Sequence, residues 1–227
     1  MNNNSLIVFC GIDGSGKTTQ AHLLVDTLHK DRRAVSYVWA RWEQVLVKPF
    51  TVKWKSAIGQ ETGFSDGRAK ENKEKKHRLL NNPFFRWLWL GAFFVDYGLQ
   101  ILVKVRSRLI RGGIIVSDRM FYDSVIDQAI NLGNNKDWLL NNLDSTWMKI
   151  IFPKPDMVLY IDCPGEMAFE RKDDAPDLEY LTDRRELYRL LADKYKWVQI
   201  DGTRSVDDIA AQVKDIVYQK LSIYKAI

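Results

Sequence analysis

The chain has 227 residues, 46% of them hydrophobic, and a formal net charge of +5. That is enough to bury one core as a single domain over 1–227. The mild, dispersed positive charge suits an anionic ligand without requiring nucleic acid. Two cysteines, Cys10 and Cys163, stand too far apart in sequence for a disulfide framework or a zinc site, which points to a reducing, cytoplasmic setting.

In chain order, Leu6–Cys10 reads as a short buried strand. Gly11-Ile12-Asp13-Gly14-Ser15-Gly16-Lys17-Thr18, followed by Thr19, fits the phosphate-binding pattern G-x-x-x-x-G-K-[ST] at every fixed position. Its glycines let the backbone curl so that several N–H groups aim at phosphate oxygens. The next segment, with Ala21, Leu24, Val25 and Leu28 apolar, reads as a helix that adds its positive end to the same site. Lys17 is placed for the β- and γ-phosphates of ATP, and the Thr18 hydroxyl for Mg²⁺. Nothing between Gly11 and Gly16 is basic, so any arginine serving the transferred phosphoryl group comes from elsewhere.

Ala34–Ala40 is the second predicted strand. The stretch from 48 to 82 is glycine-punctuated and dense in charges of both signs, which predicts a solvated helix or mobile loop, or else a cover over an anionic substrate. Its basic run lacks aromatic residues for stacking bases, so no nucleic-acid partner is expected. Residues 83–98 form the richest apolar run; interrupted by Arg86 and Asp96, it predicts a buried helix and no membrane span.

Gly113–Asp118 is the third strand, and it ends in Asp118-Arg119. An acid at a strand's carboxyl end can hold water in a Mg²⁺ shell, and the adjacent arginine can fork onto a phosphate. Asp156–Asp162 and Trp197–Asp201 complete five strands separated by helical patterns. The alternation predicts an α/β fold of the P-loop NTPase kind: a five-stranded parallel sheet, helices on both faces, and ligands at the strands' carboxyl rim. Between the last two strands, two cationic clusters flank an acidic, proline-containing bend, a pattern suited to a small lid over about 170–188. Arg171, Arg184 and Arg185 are its candidate arginines; an ordinary pair of charged helices is the alternative.

These motifs together resemble the thymidylate kinase-type nucleoside monophosphate kinases. The resemblance rests on Phe9 to Gln20, on Val116 to Met120 with Tyr122-Asp123-Ser124, on Pro155 to Pro164, and on Ile200 to Thr203, in family order. It implies ATP and Mg²⁺ as cofactors and dTMP as acceptor. It implies that Asp13 lies near the acceptor's sugar or phosphate. Arg41 and Arg119 would contact the acceptor phosphate, with Asp96, Tyr97 and Tyr122 in the acceptor site. Arg171 and the lid arginines would close on ATP, and Gly202 and Thr203 would border the adenine. Thr18 and Asp118 would serve the metal. It also implies a homodimer joined through the aromatic helix 84–98.

The chain departs from the family pattern at four places. Cys10 replaces a glutamate, Trp39-Ala40-Arg41-Trp42-Glu43 replaces Glu-Pro-Gly, Tyr97 follows Asp96 where an arginine is usual, and Met120 replaces Tyr or His. All but Cys10 fall on the acceptor side. Phosphoryl transfer from ATP is therefore better supported than the acceptor. The alternatives are a kinase of the same fold acting on another small acceptor, and an ATP-binding switch module.

Overall fold

A computed structural model describes residues 4–48, 81–171 and 177–223. The acceptor-side stretch 49–80 and the lid residues 172–176 lie outside the described residues. Five strands form one sheet: β1 (Ser5–Cys10), β2 (Val35–Trp39), β3 (Ile114–Asp118), β4 (Met157–Asp162) and β5 (Val198–Asp201). Their order is β2-β3-β1-β4-β5, and every pairing is parallel. All five expected strands are present within a residue or two of their sequence bounds. Parallel pairing brings the carboxyl ends of all five strands to one rim. The register sets Phe9 opposite Asp118, and Trp39 on the other side of it.

Among the described residues the helices are α1 (Lys17–Lys30), α2 (Pro83–Ile101), α3 (Phe121–Asn131), α4 (Lys136–Asp144), α5 (Thr146–Ile151), α6 (Gly165–Glu170), α7 (Leu178–Tyr195) and α8 (Val206–Ile223). They lie on both faces because strand side chains alternate. Ile7, Phe9, Val116, Leu159 and Ile161 pack under Ala21, Leu24 and Leu28 of α1 and Ile209, Val213 and Val217 of α8. Leu6, Val8, Ile115, Val158 and Tyr160 pack against α2, α3, α4 and α7 on the other face. This is the P-loop NTPase arrangement that the alternation of elements predicts.

Two expectations need correction. The run 83–98 is not a buried helix. One face, with Phe93, Tyr97 and Ile101, sits in the core, while Phe84, Trp87, Leu88, Val95 and Leu99 are exposed. The helix also outlasts the apolar run: it continues through a π-helical turn, Leu102–Arg106, to Ser107–Arg111. Over Pro83–Arg111 it is long and apolar enough to cross a membrane, by length and composition alone. The apolar stripe is wider than one core contact can cover, which a residue count over 83–98 does not reveal.

The second correction concerns the lid stretch 170–188. From Leu178 onward it is one helix, α7, docked through Leu181, Arg184, Leu187, Tyr188 and Leu191. These residues recur at helical spacing among the charges, so the outer half of the expected lid is part of the core.

Candidate active site

The phosphate loop connects β1 to α1. Gly11, Gly14 and Gly16 all have positive φ. At Gly14 a Cβ would lie 2.1 Å from the Ala168 carbonyl oxygen, so the loop packs against α6 as only glycine allows. A Cβ on Gly16 would meet nothing within 4 Å; the space in front of that residue is open. No side chain caps α1, so its first-turn N–H groups are left for an anion. The Ser15 hydroxyl is buried without a partner. Glycine-lined space, free helix-end donors and an orphaned hydroxyl fit a polyphosphate.

Lys17 is 4% exposed; its Nζ donates to the Ile12 carbonyl oxygen at 2.8 Å and lies 3.7 Å from Asp13. Burial, with Arg119 nearby, lowers its pKa to about 7 against the opposing pull of Asp13. Thr18 Oγ1 donates to Asp118 Oδ2 at 2.6 Å. The other oxygen, Asp118 Oδ1, is buried and unpartnered. A hydroxyl whose proton is already committed, beside a carboxylate oxygen with none, is a donor set that fits Mg²⁺. Thr19 is exposed at the start of α1.

Beside the loop, on the flank where the resemblance puts the acceptor, runs a chain of ion pairs. Arg119 sits in the left-handed region at φ 68, unusual for a residue with a side chain. Its guanidinium bridges Asp13 and Asp123, the latter at 3.0 Å. Burial acts to raise the Asp13 pKa, but Arg119, Lys17, Arg184 and Arg41 outweigh it and hold the carboxyl well below its usual range. Tyr188 donates its hydroxyl to Asp123, and Arg184 donates to Tyr188 at 3.0 Å. Arg184 also pairs with Asp127, whose other oxygen lies 3.5 Å from Arg41. Lys17, Asp13, Arg119, Asp123, Tyr188, Arg184, Asp127 and Arg41 thus form one continuous polar string.

The structure brings Asp13, Arg41 and Arg119 together, and it joins to them Arg184, a candidate lid arginine, with Asp123, Asp127, Tyr180 and Tyr188, which had no assigned role. Asp123 and Asp127 are four apart on α3; Tyr180, Arg184 and Tyr188 are four apart on α7. That spacing, which puts side chains on one helix face, was the available signal.

Other expected site residues are placed elsewhere. Tyr97 is 1% exposed and donates to the Ala40 carbonyl oxygen at 2.5 Å, so it fixes the end of β2 from beneath. Asp96 is buried and accepts from Trp42 Nε1 and from the Val45 and Leu46 amides, pinning the loop that carries Arg41. Gln100 grips Glu43 through both its N–H and its carbonyl. Tyr122 packs against Phe121 and Trp197, turned about 100° around α3 from Asp123 and away from the string. Cys10 is buried, with its thiol 3.8 Å from Asp123. Burial pushes that thiol's pKa up.

On the far side of the loop, a groove of about 340 Å³ is lined by Asp162, Pro164, Arg185, Arg189, Asp201 and Thr203. Arg185 donates to Asp162 at 2.7 Å. Arg171 donates to the Gly202 carbonyl oxygen at 3.2 Å, so it stands beside the Gly202-Thr203 turn. Arg171, Arg185, Gly202 and Thr203 therefore share one flank, and Arg184 faces the other.

A thymidylate kinase of Thermosipho africanus is 30% identical over 226 residues, covering 95% of this chain and 98% of the relative. The chain belongs to the thymidylate kinase family. A probable thymidylate kinase of Saccharolobus solfataricus is 28% identical over 227 residues, covering 95% and 98% of the two chains. A thymidylate kinase of Plasmodium falciparum is 27% identical over 207 residues, covering 89% and 84%. No protein-family model matches the chain.

Proposed function

We propose that this protein is a phosphotransferase that moves the γ-phosphoryl group of ATP to dTMP, giving dTDP and ADP. The observation that carries the reading is Asp13, a phosphate-loop residue tied at once to Lys17 on the donor side and to Arg119 on the acceptor side. The acceptor phosphate is already an anion at neutral pH, so no general base is required. Catalysis is then mainly positioning and charge stabilisation.

Lys17 binds donor phosphate, and the loop amides orient it. Arg41 and Arg119 receive the acceptor phosphate. Arg184 acts on that side through Asp127, while Arg171 and Arg185 serve the ATP flank together with Gly202 and Thr203. Mg²⁺ would be held by Thr18 and, through water, by Asp118, and it supplies neutralisation of charge on the phosphate oxygens. The exposed stripe of α2 (Phe84, Trp87, Leu88, Val95) is the seam of a homodimer, with Gly91 open at its centre. Two free, buried cysteines suit a cytoplasmic protein.

A coupled assay of ADP release tests the reading with Mg·ATP and dTMP, dUMP, other nucleoside monophosphates, thymidine, or water alone. Strong release with dTMP is expected. Release with another acceptor and none with dTMP would favour the second reading, a kinase of the same fold with a different small acceptor. The buried Tyr97 in the usual arginine position is the observation behind that reading.

A further inference from the structure

Asp118 is fully buried at the end of β3, and its two oxygens are used unequally. Oδ2 accepts from two hydroxyls: Thr18 Oγ1 at 2.6 Å and Tyr37 Oη at 3.2 Å. Oδ1 has no partner. Tyr37 comes from the edge strand β2, where it pairs with Val116, two residues before Asp118. Its ring lies flat on His22 of α1, with centroids 4.3 Å apart and planes 23° apart. The tyrosine therefore leans across β3 with its hydroxyl held from behind. A phenol keeps its proton at neutral pH, so the hydroxyl is a donor to Asp118.

A carboxylate with one donor can rotate and exchange its oxygens. With two donors on the same oxygen, rotation breaks both hydrogen bonds. The arrangement therefore holds Oδ1 free and keeps the Thr18 proton on Oδ2, which leaves the Thr18 lone pairs for a cation. We propose that Tyr37 is a positioning residue for the metal site, acting through Asp118 and indirectly through Thr18. The inference rests on reading Thr18 and Asp118 as the Mg²⁺ site. Partners that orient metal ligands typically influence affinity by 10- to 100-fold when removed.

The test is a titration of the full chain with a fluorescent ADP analogue, with and without Mg²⁺, for wild type, Tyr37→Phe and Tyr37→Leu. Tyr37→Phe keeps the ring on His22 and removes only the hydroxyl. The expected result is about a tenfold rise in the Mg²⁺ concentration needed for half-maximal tightening of ADP binding. Affinity without Mg²⁺ should be unchanged, and Tyr37→Leu should show the same loss. Wild-type Mg²⁺ dependence in Tyr37→Phe would overturn the inference, as would a loss confined to Tyr37→Leu, which would trace the effect to the ring stack. A wild-type protein with no Mg²⁺ dependence would overturn the metal reading of Thr18 and Asp118 itself, and the inference with it.

Discussion

Arg184 and Arg185 are neighbours in α7, yet they lie on opposite flanks of the phosphate loop. Arg184 is completely buried and pairs with Asp127 beside Arg41. Arg185 is part-exposed and pairs with Asp162, in the groove that includes Thr203. The 100° turn per helical residue separates them.

Substitutions at the two should therefore part company. Arg184→Ala leaves Asp127 and the Tyr188 hydroxyl short of a buried partner. It should destabilise the fold by about 3 kcal/mol and raise KM for the acceptor. Arg185→Ala removes a part-exposed pair; it should alter stability by less than about 1 kcal/mol and raise KM for ATP alone. Steady-state kinetics and thermal melts of both variants check this, and equal effects on the two substrates would contradict it.

Lys17→Ala should abolish turnover while the fold survives. The lysine is buried with one carbonyl and one distant carboxylate as partners, so its removal also relieves a desolvated cation. Circular dichroism should match wild type, and retained ADP release would defeat the assignment.

A pH effect follows from the same residue. With a pKa of about 7, Lys17 is mostly neutral in the free protein at pH 8 and mostly charged at pH 6. Bound phosphates favour the charged form and raise the pKa. ADP binding should then take up close to one proton at pH 8 and almost none at pH 6. Calorimetry in buffers of different ionisation enthalpy reads this number directly.

Asp96→Ala should loosen the loop that carries Arg41, because three donors of that loop lose their shared carboxylate. A destabilisation of about 2 kcal/mol is expected. A larger rise in KM for the acceptor than in KM for ATP should accompany it, measured side by side.

Trp87→Glu places a charge on the exposed stripe of α2. It should shift a dimer to monomer in sedimentation velocity and leave monomer stability within about 0.5 kcal/mol. An unchanged sedimentation coefficient would remove α2 from the interface.

The sequence by itself determined the phosphate loop of this protein. The loop Gly11–Thr18 and its flanking strand and helix are contiguous, and their chemistry follows from spacing along the chain. Strand periodicity likewise marked all five members of the sheet, because burial on two faces writes itself into short apolar runs. Only the tertiary structure decided the charged string beside the loop. The string from Lys17 to Arg41 draws on the phosphate loop, the end of β2, β3, α3 and α7, which are distant in sequence. It also decided that Tyr97 supports β2 rather than lining the site, that Arg184 and Arg185 diverge, and that α2 leaves an apolar face uncovered. A local pattern shows that a residue is polar or apolar and which helix face it shares. Which neighbour that face meets is set by how the layers pack.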